Sequence, residues 1–259
     1  MATYTTEIAS DHLASDNPIH QRLLKAYYAA QPYIIGDLLE VGCGEGRGVS
    51  LLAPLSKSYM AIDKIGSVIE KLHSQFPDVN FQQMTIPPFR GIADEMFDVV
   101  VSFQVIEHIQ DDRLFLEELF RILKPGGQAI ISTPNIKKTL TRNPWHEREY
   151  TASELETLTN GIFDRVETFG IAGNEKVMDY YEENKSSVAR ITRFDIFDLQ
   201  HRLPAAWLKI PYDLMNRFNR NLLRKAHSQL VSDITYEDYV VSTMPDTSLD
   251  LFYLLKKNQ

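Results

Sequence analysis

Cysteine is almost absent from this 259-residue chain: Cys43 is the only one. No intramolecular disulfide can form, and a four-thiolate zinc site is excluded; the usage suits a reducing compartment. Positive charge is in deficit, with 27 Lys+Arg against 35 Asp+Glu and a net charge of −8. An acidic chain is a poor non-specific ligand for nucleic acid. No stretch reaches the roughly 18 consecutive apolar residues of a spanning helix. The segment 1–16 carries no basic patch followed by an apolar run, so a targeting leader is not expected. The composition, 44% hydrophobic and 24% charged, is that of an ordinary globular protein, expected to be soluble and cytoplasmic. Glycine is missing after Gly173, whereas five of the 12 (Gly36, Gly42, Gly44, Gly46, Gly48) fall within 13 residues. Such a cluster marks backbone that must bend tightly or approach something closely.

What is present alternates. Asn17 and Pro18 open a helix that runs to about Gln31-Pro32. Asp37–Val41 reads as a strand entering the glycine cluster, followed by a helix over 48–55. Further strands are expected at 58–63, 79–83, 97–103, 128–133, 165–170 and 251–255. Helices are expected between them at 67–75, 111–123 and 151–158, the last with Thr151 and Glu154 placed for a capping box. Strand and helix in alternation predict an α/β protein, a doubly wound, mostly parallel seven-stranded sheet with helices on both faces. The ligand then sits at the carboxyl ends of the strands. The region 174–248 is too long for a structureless loop and reads as a helical insertion. The chain divides into an N-terminal helical segment (1–36), a core (37–173), the insertion (174–248) and a returning strand (249–259). Between Lys185 and Lys225 nine basic residues face three acidic ones, a local +6.

The strongest chemical signal is Leu39-Glu40-Val41-Gly42-Cys43-Gly44-Glu45-Gly46. A strand leads into alternating glycines, and the following helix N-terminus offers N–H groups. The spacing is G-x-G-x-G, with Arg47 where the dinucleotide pattern has its third glycine. A carboxylate at Glu40 repels a pyrophosphate and attracts an ammonium. Both features disfavour a nicotinamide dehydrogenase. Asp63 ends the second strand, where an acid can accept from both hydroxyls of a ribose.

Together with AID (61–63), FDVVVSFQVIEHI (97–109) and RILKPGGQAIISTPN (121–135), the glycine loop resembles the class I S-adenosylmethionine-dependent methyltransferases. The small-molecule branch that includes quinone-biosynthesis enzymes is the most similar. The resemblance covers about half the chain, and NPWHEREYTASEL (143–155) is shared with a subset of these enzymes. It implies a Rossmann-like fold with a Rossmann-like methyltransferase topology and S-adenosylmethionine as cofactor. Gly42, Cys43, Gly44 and Gly46 would line its methionine part, with Glu40 near the amine. Asp63 would hold the ribose, Lys64, Gln83 and Met84 would border the adenine, and Phe103 and Gln104 the sulfonium. Gln83 stands where the commonest pattern has an aspartate.

The implied function is methylation of a small-molecule acceptor, most simply at oxygen; a non-catalytic cofactor-binding sensor or partner subunit is the alternative. A hydroxyl nucleophile is helped by a general base. His108 and His146 are the candidate catalytic bases, with Tyr150 as a third. Cys43 reads as a small residue facing the cofactor or the core, not a nucleophile. His12, His20, His73, His201 and His227 show no metal-ligand spacing, so no metal is expected. Trp207, Leu208, Ile210, Tyr212, Leu214 and Met215 form an apolar stretch that reads either as a helix pair covering the sheet edge or as a lid over the acceptor. The local +6 suits an anionic acceptor, sugar- or lipid-linked, or an anionic membrane surface; it equally suits a solvated face.

Overall fold

In the computed structural model, residues 14–193, 195 and 198–259 are described. The fold is α/β, built on one eight-stranded sheet in the order β3-β2-β1-β4-β5-β8-β6-β7. The parallel part comprises β1 (Asp37–Val41), β2 (Ser58–Asp63), β3 (Asn80–Gln83), β4 (Phe97–Phe103) and β5 (Leu123–Pro134). β8 (Asp250–Lys256), the returning strand, runs antiparallel between β5 and β6 (Arg165–Gly173).

Strand β4, Phe-Asp-Val-Val-Val-Ser-Phe, is rich in β-branched and aromatic residues, and all but Asp98 are buried. That composition suits a strand covered on both faces. Successive residues point to opposite faces, and the packing follows. On one face Leu38, Val99, Val101 and Ile130 meet Ala26, Tyr27 and Ala30 of α1 (Asn17–Ala30) and Val68, Ile69 and Leu72 of α3 (Gly66–Gln75). On the other, Leu39, Val100, Ile131 and Tyr253 meet Phe115, Leu116, Leu119 and Ile122 of α4 (Asp112–Ile122) and Leu155 of α5 (Ala152–Asn160). Each such side chain removed from water contributes about 1.5–3 kcal/mol. Strand order reverses between β1 and β4, which opens a crevice at their carboxyl ends.

Several elements differ from the sequence-based expectation. The sheet has eight strands, not seven. The extra one, β7 (Tyr239–Ser242), pairs with β6 at the edge, inside the region expected to be helical. Val240 and Val241 are both exposed, so its sequence carries no in–out alternation. The glycine loop leads to only one turn of α-helix, α2 (Val49–Leu52), before a 3-10 turn containing Pro54. β5 starts at Leu123, five residues before the expected 128, and takes in Pro125-Gly126-Gly127. Asn17 is inside α1 rather than capping it, and its amide donates to the carbonyls of Val231 and Ile234. The capping box of Thr151 and Glu154 is present at α5.

The insertion supplies α6 (Glu175–Thr192), the single turn α7 (Leu199–Arg202), α8 (Ala205–Ala226) and α9 (Ser228–Asp233). Among the described residues, no helix is long and apolar enough to cross a membrane.

Candidate active site

The loop after β1 is held from behind and open in front. The N–H groups of Gly42 and Cys43 both donate to Ile62 O, at 2.8 and 3.1 Å. Gly42 has φ +77, and a Cβ there would lie 2.4 Å from Val105 Cγ2. Gly44 has φ +50, with nothing within 4 Å of the place a Cβ would take. Its N–H donates to Asp63 Oδ2 at 2.9 Å, while Ile65 N–H donates to Oδ1 at 2.9 Å. Each Asp63 oxygen therefore carries one backbone donor and retains a lone pair for another. In front of this loop lies a cavity of about 300 Å³.

Of the residues expected at the cofactor, Gly42, Cys43, Gly44, Asp63, Lys64, Met84, Phe103 and Gln104 line this cavity. Gly46 does not; at φ +83 it makes room for Leu72 of α3. Gln83 does not either. Its side chain is exposed over the start of α3, and its amide donates to Lys64 O at 3.1 Å. Thr85 and Ile86 line the wall beyond Met84 instead.

Glu40 departs furthest from expectation. Its side chain is buried behind the loop, accepting from the hydroxyls of Tyr27 (2.7 Å) and Tyr59. A Cβ on Gly48 would fall 2.4 Å from Oε2. Burial raises the Glu40 carboxyl to about 7, against the opposing pull of the two tyrosine hydrogen bonds and of Arg47. Glu40 braces the loop from β1 to α1 and β2 and is not part of the cavity wall. Burial also pushes the Cys43 thiol well above its usual range, which suppresses nucleophilic thiolate.

A second cavity of about 280 Å³ adjoins the first, and Leu23, Gln104 and His108 line both. Gln104 follows β4 at φ +57, a sparsely populated conformation for a non-glycine residue, with its N–H donating to Ser132 O. The chain then turns through Ile106–His108. Glu147 and Arg148, in the loop after β5, donate their N–H groups to Glu107 O at 2.7 and 3.3 Å. That backbone pairing brings His108 and His146 together, ring centroids 4.9 Å apart and nearly perpendicular.

The partners define the ring nitrogens. His108 Nδ1 donates to Trp145 O at 2.9 Å, which fixes the ring orientation. His146 Nδ1 lies 2.6 Å from Glu149 Oε1, and its Nε2 accepts from Asn143 Nδ2 at 2.9 Å. Glu107 is buried, raised to about 7 by burial, and accepts from Thr133 Oγ1 at 3.0 Å. Tyr150 is buried with its hydroxyl on Asp112, and burial raises it further, so it is a structural residue and not a base.

Ligand atoms of Glu107, His108 and His146 lie within 4.8 Å of one another, a grouping with no counterpart in local spacing. Of the other histidines, His12 lies outside the described residues.

The second cavity carries the cations Arg22, Lys138 and Arg220 and the amides Asn184, Asn216 and Asn219 in its wall. Arg22 Nε stands 3.2 Å from the buried Asp250 carboxylate, itself raised to about 6 by burial. Asn135 fixes the floor, its amide donating to the carbonyls of Pro245, Asp246 and Ser248. Tyr180, Tyr181, Glu149 and Leu249, which sequence reasoning did not single out, complete it.

A glycine loop facing a strand-end aspartate, on a sheet of this order, is the arrangement of the Rossmann-like methyltransferase fold. Residues 39–131 match the family described as "Methyltransferase domain". Over 141 residues the chain is 36% identical to a "Probable S-adenosylmethionine-dependent methyltransferase" of Mycolicibacterium smegmatis, covering 52% of this chain and 54% of that protein. Over 106 residues it is 37% identical to the ubiquinone biosynthesis O-methyltransferase of Rickettsia felis, covering 39% of this chain and 43% of the relative. The chain spans about half the length of the curated relatives it matches first. Among solved structures, a methyltransferase from Archaeoglobus fulgidus superposes with a TM-score of 0.56 at 14% identity, covering 92% of this chain and 94% of that one. YcgJ from Bacillus subtilis does so with a TM-score of 0.54 at 17% identity, covering 93% and 99%.

Proposed function

We propose that this protein transfers a methyl group from S-adenosylmethionine to a hydroxyl oxygen of a small polar acceptor, with His108 as the general base. The observation that carries this reading is the pair of adjoining cavities, joined at Gln104 and His108.

The first cavity fits the donor. Asp63 would accept from both ribose hydroxyls, since each of its oxygens has a lone pair beyond its backbone donor. Gly44 leaves the space a Cβ would take, and Met84, Ile86 and Ile65 offer an apolar slot for adenine. Bound there, S-adenosylmethionine supplies an already activated methyl group. The chain's own work is to orient the acceptor, exclude water and accept a proton. His108 Nε2 would take the hydroxyl proton; Trp145 O steadies the imidazolium through Nδ1. His146, held by Glu149 and Asn143, forms the neighbouring wall. Arg22, Lys138 and the amides of the second cavity suit an acceptor bearing an anionic or hydroxyl-rich portion, of the sugar- or lipid-linked kind.

Calorimetry with S-adenosylhomocysteine tests the donor half, and labelled methyl transfer to hydroxylated carboxylic acids, phenols and sugars tests the acceptor half. His108→Gln is expected to slow single-turnover transfer about 10²–10⁴-fold, a far larger effect than on S-adenosylhomocysteine affinity. No heat on titration removes the donor reading; a wild-type rate in His108→Gln removes the base.

A further inference from the structure

Helix α8 has two unlike long faces. One carries Tyr212, Asn216, Asn219 and Arg220 into the wall of the second cavity. The other carries Trp207, Ile210, Leu214 and Phe218, which are 71%, 74%, 67% and 60% exposed, with Met215 and Leu222 beside them. Their spacing of three and four places them on a single stripe. An apolar stripe this continuous and this exposed marks an interaction surface. Among the described residues the stripe is left exposed.

Charge identifies the occupant. The helix holds five basic residues (Lys209, Arg217, Arg220, Arg224, Lys225) against one acid, Asp213, a net +4, with Arg220 turned to the cavity and paired with Asp16. The rest of the chain is then −12. The acid is engaged, accepting from Trp145 Nε1 at 3.0 Å. An apolar stripe with tryptophan and phenylalanine, on a basic helix in an otherwise acidic protein, has the make-up of a helix lying in a bilayer interface. Anionic headgroups attract α8 and repel the remaining surface, which sets a single docking orientation. We infer that α8 docks the protein on an anionic lipid bilayer, its apolar stripe entering the headgroup region. The cavity wall on its other face then stands directly over the membrane. This inference rests on the surface of α8 and not on the transfer reaction.

The test is co-sedimentation of the whole chain with phosphatidylcholine vesicles, with and without phosphatidylglycerol, at low and high salt. Binding is expected only to the phosphatidylglycerol vesicles, weakening as salt rises. The double change Leu214→Asp with Phe218→Asp should abolish it, and Arg224→Glu with Lys225→Glu should weaken it several-fold. Circular dichroism checks the fold of each variant. Trp207→Ser, at a highly exposed position, is the second variant should the double change misfold, and should likewise lower the bound fraction. Equal binding to both kinds of vesicle, or none to either, overturns the inference. So does a wild-type dimer in solution that the double change dissolves, since the stripe would then face a second copy.

Discussion

Asp63 shows how much one side chain can be asked to do. Its two oxygens already hold Gly44 N–H and Ile65 N–H, so the acid shapes the loop before any ligand arrives. Net contributions of hydrogen bonds to a charged group run to about 1.5–3 kcal/mol. Asp63→Ala should therefore weaken S-adenosylhomocysteine about tenfold or more by calorimetry. The places of Asp63, Gly42 and Gly44 at the cavity were legible from sequence because they are local: a strand end and two positive φ angles. Glu40 was not. Sequence shows the charge beside the glycines but not the two tyrosine hydroxyls that claim it, one from α1 and one from β2. Likewise the ring orientations of His108 and His146 are set by Trp145, Asn143 and Glu149, which only the folded loop assembles.

At the level of elements, legibility followed burial pattern and chain chemistry. β4 was found with its true ends because every position but one is apolar, or small and buried. The capping box at α5 was found because Thr151 and Glu154 satisfy each other three residues apart. This box follows directly on the loop that carries His146 and Tyr150. Thr151→Ala should cost about 1 kcal/mol, lowering Tm by about 2–4 °C. Thermal melts should show that loss, with S-adenosylhomocysteine affinity unchanged. β7 was missed for the opposite reason, since a four-residue element carries too few positions for a period to emerge, and α2 was expected but read longer than its single turn. The exposure of the α8 stripe was equally hidden, because periodicity reports which residues share a face and not what covers it.

For the molecule as a whole, three acids buried near the site couple stability to pH. Burial raises Glu40 and Glu107 to about 7 and Asp250 to about 6. Below the ordinary carboxylate range these groups are protonated both folded and unfolded. As pH rises to about 7 the unfolded chain gives up its protons first, so stability falls through that window and levels off above it. For Glu40, with 4.5 as the reference value, the change is on the order of 3 kcal/mol. Melting temperature should be lower at pH 8 than at pH 5.5, and Glu40→Gln should flatten the slope; an unchanged slope in that variant would assign the effect to the other two acids. The order of the sheet has a kinetic consequence as well. β8 fills the gap between β5 and β6, yet it follows both α8 and β7 in the chain. During synthesis, two unsatisfied sheet margins must wait through the whole insertion for the strand that seals them. That interval is when a nascent chain is most prone to join its neighbours, and when a chaperone would find it most in need of cover.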